Sequence, residues 1–318
     1  MGADRAPHRA AQRLTGKRSL VVTRSTYPGS GQWAGHWLGD NRSQWPDMAH
    51  SIIGMLEFNL FGIPYVGADI CGFFLNTTEE LCQRWMELGA FYPYSRNHNQ
   101  KDAVDQDPGL WPNTVAKSSK KALEIRYRLL PYLYTLFYYA YTQGHTVGQP
   151  VEWPGEYVKV SAPRDQIPLH VRGGHILPTQ RPALNTQLAR QEPMGLLVAI
   201  GLDRRASGHL FWDDGEAINT VTNKKYSFVE FTFVQDILKV TVLKNLNEDL
   251  GELKMVDLEF LGVEKEPSQI LLNQQDLFSG NYSYEKDSLR LLVSLDVDLN
   301  KDFELELKDI WYYVVDMS

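Results

Sequence analysis

The sequence has no long apolar run, no surplus of basic charge and only two cysteines. Without about 18 successive apolar residues it encodes no membrane-spanning helix. Its 318 residues carry a formal charge of −7, which argues against general nucleic-acid binding, because that activity needs clustered Lys and Arg. The balance of apolar and charged residues is that of a globular protein, and the length predicts one large or two medium domains.

The two cysteines, Cys71 and Cys82, lie too far apart for the C-x-x-C pattern of redox or zinc sites. The residues alone leave two interpretations open: buried thiols in a cytosolic protein, or one disulfide in a secretory compartment. Glycosylation sequons begin at Asn41, Asn76 and Asn281, although such triplets often occur by chance. Residues 1–17 are rich in Arg and have no apolar core, so they are not a secretory signal.

Two helices stand out in the first part of the chain. Residues 78–89 predict a helix with Thr78 as its N-cap and acidic residues in its first turn. A longer helix is predicted over 115–143, where apolar residues recur every three to four positions. Pro131 should kink this helix, and Gly144 is suited to end it.

Strand signals differ between the two parts of the chain. Short apolar runs at 20–23 and 61–68 predict strands among the helices. After Gly144, apolar and polar residues alternate strictly at 238–242, 295–299 and 303–307. Period-two alternation predicts antiparallel strands with one solvated face. The predicted fold class is therefore α/β followed by all-β.

Polar side chains follow the apolar runs of the first part in three clusters, at 23–41, 67–73 and 91–98. If this part is barrel-like, the C-terminal ends of its strands are where a site is built. Asp40, beside aromatic side chains, could then act as a general acid. The competing interpretation of its loop is a surface turn of Gly, Asp and Asn.

The segments 21–41, 67–74 and 91–99 resemble family 31 of the glycoside hydrolases, and most closely its maltase-glucoamylase and sucrase-isomaltase group. The resemblance extends over about residues 11–214 and more loosely beyond. It implies part of a (β/α)8 TIM barrel that hydrolyses α-glucosidic bonds with retention, followed by β-sandwich domains. It also implies α-glucoside substrates such as maltose and maltodextrins, no cofactor, and a place in the secretory pathway or on the outer face of the plasma membrane.

The same resemblance assigns roles in the first cluster. Asp40 matches the general acid/base that protonates the leaving oxygen. Arg24 matches an arginine that binds substrate hydroxyls, and Trp37 matches an aromatic wall of the pocket for the sugar that is cleaved. Such groups suit the chemistry, because cleavage needs a carboxylic acid at the leaving oxygen and aromatic rings pack on sugar C–H faces.

Roles in the other two clusters follow in the same way. Asp69 and Phe73 match pocket residues, and His98 matches a hydroxyl-binding histidine. Arg96 is expected to order neighbouring carboxylates. Cys71 and Cys82 match a disulfide of the family, which favours the secretory interpretation.

The sequence departs from the family pattern at two places. The Trp-x-Asp-Met-Asn-Glu type motif that holds the family's nucleophile is absent, and Trp45-Pro46-Asp47-Met48 shares only a few letters at a position where a helix should run. Near Val147-Gly148 several dozen family positions are skipped. The predicted domains are a leader at 1–18, a partial barrel at 19–146, a truncated proximal β domain at 147–190 and a distal β-sandwich at 191–318. We expect such a chain to be a truncated or spliced product of low stability.

Two further motifs have plain structural interpretations. His170 and His175 suggest a metal site, but no third ligand has suitable spacing, so each is expected in a strand or turn. Asp213-Asp214-Gly215 looks catalytic, yet Asp-Gly is favoured in hairpin turns, which is the preferred interpretation.

Three functions remain in competition. The first is an α-glucosidase acting on α-1,4-linked glucose, although without the nucleophile we expect little turnover by this chain. The second is a non-catalytic carbohydrate-binding fragment that keeps half a sugar pocket. The third is an interaction module that docks on a complementing partner chain.

Overall fold

The computed structural model of this chain describes residues 2–148, 159–246 and 253–311. The chain divides into two compact units. The first comprises Met1–Arg126, Leu136–Leu169 and Glu216–Ile218, and the second comprises Tyr127–Thr135, His170–Gly215 and Asn219–Ser318. The residues between the described ranges adjoin the predicted gap near Val147-Gly148, so that gap lies partly outside the described residues.

Helices alternate with short strands along the first part of the chain. The helices are α1 (Gly2–Thr15), α2 (Trp45–Leu60), α3 (Glu79–Gly89), α4 (Val115–Arg128) and α5 (Leu130–Gln143). The strands are β1 (Val22–Thr23), β2 (Gly35–Trp37), β3 (Val66–Gly67), β4 (Asp69–Ile70) and β5 (Arg96–Asn97). No helix among the described residues is both long and apolar enough to cross a membrane.

All five strands pair in parallel. Strands β1, β2 and β3 form one sheet in that order, and β4 pairs with β5 in a second. Parallel neighbours need crossover connections, and α2 and α3 supply them here. This βαβ arrangement is that of part of a barrel, as predicted, and it places the ends of successive strands at one edge.

The helix predictions are confirmed, with one refinement. Thr78 caps α3, and its side chain accepts a hydrogen bond from the Leu81 backbone N–H. The predicted helix over 115–143 is two helices, α4 and α5, which are separated at Leu129 close to Pro131. Gly144 has φ 72°, the left-handed conformation that ends a helix.

The strand predicted over 61–68 is mostly wrong. Helix α2 continues to Leu60, and Gly62 follows in the left-handed region at φ 76°. Only Val66–Gly67 is extended and paired, as β3. Phe61 made this segment look like a buried strand, but its side chain is exposed. The packing around the segment therefore outweighs the strand propensity of its residues. Residues 45–48 open α2, in agreement with the helix expected there.

Helices α3 and α4 enclose a buried polar group in the first unit. Glu87 is only 2% exposed, and its Oε1 atom has no hydrogen-bond partner among the described residues. Gln83 in the same helix donates to Ser118 of α4 (2.6 Å). Burial raises the pKa of Glu87 to about 7, and Arg84 offsets this only in part.

This burial makes a pH-dependent prediction for Glu87→Gln. Because the folded-state pKa lies above the ordinary value, Glu87 lowers the free energy of unfolding progressively as the pH rises from about 4.5 to 7. We expect Glu87→Gln to match the parent at pH 4 and to be more stable by up to about 3 kcal/mol at pH 8. Urea unfolding at both pH values measures this. Glu124→Gln, an exposed glutamate of α4, is the control, and an equal gain at both pH values would contradict the prediction.

The second unit contains an eleven-stranded sheet, with strand order β13-β12-β16-β10-β9-β8-β6-β7-β11-β15-β14. A short helix, α6 (Thr186–Ala189), lies between two of its strands. The strands are β6 (His175–Gln180), β7 (Met194–Ala199), β8 (Ala206–Trp212), β9 (Ser227–Val234), β10 (Ile237–Asn245), β11 (Lys254–Leu261), β12 (Gln269–Leu272), β13 (Gln275–Asp276), β14 (Tyr282–Glu285), β15 (Arg290–Asp298) and β16 (Phe303–Lys308). Neighbours pair antiparallel except β7 with β11 and β6 with β8.

This sheet curls around one apolar core. The rings of Phe233 in β9 and Phe260 in β11 lie 5.9 Å apart, although three strands separate β9 from β11. In a flat sheet that separation would be about 19 Å at the usual strand spacing. The predicted alternation is confirmed in β16, where Phe303 and Leu305 are buried and Glu304 between them is exposed. The structure shows one sheet here, and the predicted β-sandwich domains with their boundaries at 146 and 190 stay predictions.

The segment Asp213-Asp214-Gly215 differs from the predicted hairpin turn. Strands β8 and β9 are antiparallel neighbours, but residues 213–226 connect them as a long loop. Asp213 is fully buried and accepts hydrogen bonds from the Tyr134 hydroxyl (2.8 Å), the Thr220 hydroxyl (2.6 Å) and the Gly215 N–H (2.9 Å). The carboxylate therefore organises this loop.

His170 and His175 lie in an exposed segment and at the exposed start of β6. Across residues 2–148, 159–246 and 253–311, no three His, Cys, Asp or Glu side chains are grouped so that they could hold a metal ion.

Candidate functional site

The first loop of the site follows β2 and carries Asp40. The Arg24 guanidinium lies 3.7 Å from the Asp40 carboxylate, and both side chains are accessible to solvent. Gly39 between them has φ 85°, and a Cβ atom there would come within 2.5 Å of Arg24 Nε. Glycine is therefore required for both the backbone conformation and the close approach of the arginine.

The second loop begins at β4 and buries Asp69, which is 1% exposed. Strands β4 and β5 pair Asp69 with Arg96, and the Arg96 guanidinium donates to Asp69 Oδ1. Burial raises the pKa of Asp69 from its ordinary value, while Arg96 and His98 partly offset this rise and the Asp40 charge adds to it. The predicted ordering role of Arg96 agrees with this contact.

Aromatic side chains line the same region. The Arg96 guanidinium lies over the rings of Trp37 (5.6 Å) and Tyr94 (5.4 Å). The rings of Phe73 and His98 are 5.2 Å apart. Aromatic faces beside fixed polar groups are typical of sites that bind sugars.

Buried polar atoms without partners accompany these rings. Among the described residues, Trp37 Nε1, Asp69 Oδ2 and Arg96 Nε have no hydrogen-bond partner. A buried donor or acceptor without a partner costs free energy, which a bound polar group can recover. Two donors and one acceptor suit hydroxyl groups, because a hydroxyl both donates and accepts.

The predicted disulfide is confirmed. Cys71 and Cys82 are bonded, and both are fully buried. The bond joins the loop after Asp69 to the first turns of α3. At Cys71 (φ 71°) and Gly72 (φ 92°) the backbone reverses direction, and the disulfide fixes this reversal to the helix.

The structure thus brings the predicted side chains from three loops into one region. Arg24 contacts Asp40, Arg96 contacts Asp69 and Trp37, and Phe73 contacts His98. The Asp40 and His98 charges both act on Asp69. Their roles in binding or catalysis stay predictions.

Sequence reasoning missed four supporting residues. His36 is buried against Phe58 with ring centroids 3.8 Å apart, and burial together with Arg24 lowers its pKa. The buried Gln106 donates to the carbonyl groups of Ile70 (3.1 Å) and Gly72 (3.3 Å). The other two are Asn97, which donates to the Gln106 carbonyl (2.9 Å), and Asn41, which bonds to the second loop. His36, Asn41 and Asn97 lie within the polar clusters at 23–41 and 91–98, which is their signal in the sequence, whereas Gln106 lies outside all three clusters.

The sequons differ in their surroundings. Asn281 is exposed, and the Oδ1 atom of the exposed Asn76 accepts from the Val104 N–H (3.0 Å). At Asn41 the amide nitrogen that would carry a glycan already donates to the Asp69 carbonyl (2.9 Å). We therefore predict that Asn41 is unmodified.

Comparisons with known proteins agree on one family. Residues 2–136 match the family described as "Glycosyl hydrolases family 31 TIM-barrel domain". Intestinal sucrase-isomaltase of Oryctolagus cuniculus is 39% identical, with 95% of this chain and 20% of that protein covered. Probable maltase-glucoamylase 2 of Homo sapiens is 40% identical, and the match covers 80% of this chain and 12% of that protein. Lysosomal alpha-glucosidase of Rattus norvegicus is 36% identical, and the match covers 91% of this chain and 38% of that protein.

Two solved structures show the same fold. The glucosidase II alpha subunit superposes with a TM-score of 0.82 at 23% identity, over 95% of this chain and 41% of that chain. A GH31 dextranase from Flavobacterium johnsoniae superposes with a TM-score of 0.81 at 20% identity, over 96% of this chain and 48% of that chain. The partial-barrel prediction is confirmed by these matches.

The chain spans only part of each relative, from 12% to 38% of the three proteins above. The match to sucrase-isomaltase runs over 362 residues, more than the 318 of this chain. Several dozen positions of that relative therefore have no counterpart here, and the location of the gap near Val147-Gly148 stays a prediction.

Proposed function

This chain belongs to family 31 of the glycosyl hydrolases, and we propose that it provides the acid/base side of an α-glucosidase site. The proposed substrates are α-1,4-linked glucosides such as maltose and short dextrins, cleaved with retention. The observation that carries the proposal is the convergence of Arg24, Asp40 and the Asp69–Arg96 pair from separate loops. Relatives named sucrase-isomaltase and alpha-glucosidase support the same chemistry.

Asp40 is the proposed general acid/base. Its carboxylic acid form donates a proton to the glycosidic oxygen as the bond to the anomeric carbon breaks. In the second half of the reaction the carboxylate removes a proton from the attacking water. That proton returns Asp40 to its acid form, so the cycle closes without uptake of a proton from solvent. The nearby Arg24 is placed to bind a sugar hydroxyl.

Asp69, Trp37 and His98 are the proposed contacts to the sugar. The unpaired Asp69 Oδ2 can accept a hydrogen bond from a hydroxyl, and the unpaired Trp37 Nε1 can donate one. Phe73 beside His98 offers an apolar face for the sugar ring. Arg96 donates to the other carboxylate oxygen of Asp69, Oδ1, and so fixes the orientation of the side chain.

Retention also requires a nucleophilic carboxylate about 5–5.5 Å from the acid/base. The family motif for this residue is absent from the sequence, so turnover would need a carboxylate from outside the assigned residues, for example from a complementing chain. This observation favours one alternative, a non-catalytic carbohydrate-binding fragment. In that case the hydroxyl-binding and aromatic groups act without bond cleavage.

A secretory location and a sandwich-like second unit complete the proposal. The Cys71–Cys82 disulfide is typical of oxidising compartments, and relatives are named intestinal and lysosomal. The Phe233–Phe260 contact across the curled sheet supports two facing β layers around one core.

Glucose release from maltose by the 318-residue chain tests the catalytic role. We expect Asp40→Asn to lower any release by about 10²–10⁴-fold, because a positioned acid/base contributes that much. Asp102→Asn, at an exposed turn with φ 69°, is the matched control.

Calorimetric titration with acarbose separates the remaining outcomes. Binding without release, weakened by Asp69→Asn, would support the carbohydrate-binding alternative. A folded chain that neither binds acarbose nor releases glucose would refute both functions.

A further inference from the structure

Asn41 connects the first loop of the site to the second. Its Nδ2 atom donates to the Asp69 carbonyl oxygen (2.9 Å), and its Oδ1 atom accepts from the Phe73 backbone N–H (2.9 Å). One side-chain amide therefore binds both ends of the segment that carries two proposed sugar contacts. Asn41 itself directly follows Asp40, the proposed acid.

The backbones of the two loops also meet beside this amide. The Phe74 N–H donates to the Asn41 carbonyl (2.9 Å), and the Ser43 N–H donates to the Phe74 carbonyl (2.9 Å). At Gly72 a Cβ atom would come within 2.4 Å of the Ser43 backbone. The loops are therefore in direct contact, and the space between them accepts only a short side chain.

The chemistry of this position is specific to asparagine. Aspartate keeps the acceptor but has no donor for the Asp69 carbonyl, and it adds a negative charge beside Asp40. Glutamine has both groups on a chain one methylene longer. Alanine removes both bonds, and each buried backbone group left unpaired costs about 1–3 kcal/mol.

We propose that Asn41 is a positioning residue that fixes the acid loop against the Asp69–Phe73 loop, so that Asp40 faces the sugar held by Asp69. The proposal rests on the function proposed for this site. A displacement of about 1 Å in such an arrangement can cost about a hundredfold in rate. Asn41 touches no sugar itself and acts through the placement of its neighbours.

The first test compares acarbose binding by the parent chain, Asn41→Asp and Asn41→Ala. We expect both variants to bind acarbose at least tenfold more weakly than the parent at a temperature where thermal melting shows each of them to be folded. The control is Asn273→Asp, which adds the same charge at an exposed asparagine of the second unit, whose Oδ1 atom accepts from the Glu304 N–H (2.9 Å). Binding by Asn41→Asp equal to that of the parent would overturn the proposal.

A second test needs no ligand. Hydrogen–deuterium exchange on peptides that cover residues 72–76 reports the protection of the Phe73 N–H. Asn41→Ala should exchange faster there, whereas Asn41→Asp keeps the acceptor and should retain protection. Unchanged exchange in Asn41→Ala overturns the proposal. If the parent binds no acarbose but Asn41→Ala exchanges faster, the loop contact stands and the proposed function of the site fails.

Discussion

Arg96→Met is expected to lower the free energy of unfolding of this chain by about 3 kcal/mol at pH 7.5. The substitution leaves the Asp69 carboxylate buried at 1% exposure without its charged partner. Removing one member of a buried pair costs about 3–5 kcal/mol, and the lower end applies because Arg96 is 33% exposed. Urea unfolding followed by tryptophan fluorescence measures the loss.

The loss should depend on pH with a definite sign. Burial already holds the pKa of Asp69 above its ordinary value, and without Arg96 it rises further. A carboxyl group with a raised folded-state pKa destabilises the fold only where it is ionised, so the deficit grows as the pH rises above about 4. We therefore expect a smaller deficit at pH 4.5 than at pH 7.5.

A second substitution isolates the buried charge as the cause. Asp69→Asn combined with Arg96→Met removes both charges, and we expect it to recover most of the stability lost in Arg96→Met alone. Lys120→Met is the matched control, since it removes the cation of an exposed ion pair, Lys120–Glu124. An equal deficit at both pH values, or no recovery in the double variant, would show that the charge of Asp69 is not the cause.

The double variant Cys71→Ala/Cys82→Ala is expected to lose about 2–4 kcal/mol of unfolding free energy, the usual contribution of a native disulfide. Removing the link, which spans eleven residues of sequence, gives the unfolded chain more conformations. The Asp69–Phe73 loop also loses its covalent attachment to α3, so acarbose binding should weaken about tenfold. Urea unfolding and calorimetry measure the two effects.

The parent chain in a reducing agent is the control for this variant. Reduced parent and double variant both lack the cross-link, and only the parent keeps its two buried sulfur atoms. The difference between them therefore measures lost packing, and the difference from the oxidised parent measures the cross-link. Identical unfolding curves for oxidised parent and double variant would refute the stabilising role.

Local rules account for the parts of the fold that were predictable from sequence. The helices α3, α4 and α5 follow from apolar spacing and capping residues within each segment, and the alternation in β10 and β16 follows from the two-residue period of a strand. The strand predicted over 61–68 failed because the end of α2 depends on packing. The tight turn predicted at Asp213 is a long loop between two antiparallel strands, and the Asp213 carboxylate accepts from Tyr134, a residue distant in sequence.

The candidate site shows the same division between local and distant information. The resemblance of three short segments to family 31 located Arg24, Asp40 and Asp69 in the sequence. Gln106 lies outside these segments and Asn97 lies within one without an assigned role, so their support of the second loop is visible only in the fold. Asn41 is recognisable in the sequence as the start of a sequon, whereas its contacts with Asp69 and Phe73 are visible only in the structure.

The sequence by itself determined the family, the change from α/β to β architecture, the candidate acid and the cysteine pair. Only the tertiary structure decided that Asp69 is buried, that Arg96 is its partner, and that Asn41 joins two loops. The physical reason is that helix and strand patterns depend on neighbours a few residues apart. The partner of a buried charge depends on the register of strands such as β4 and β5, which packing of the whole chain sets.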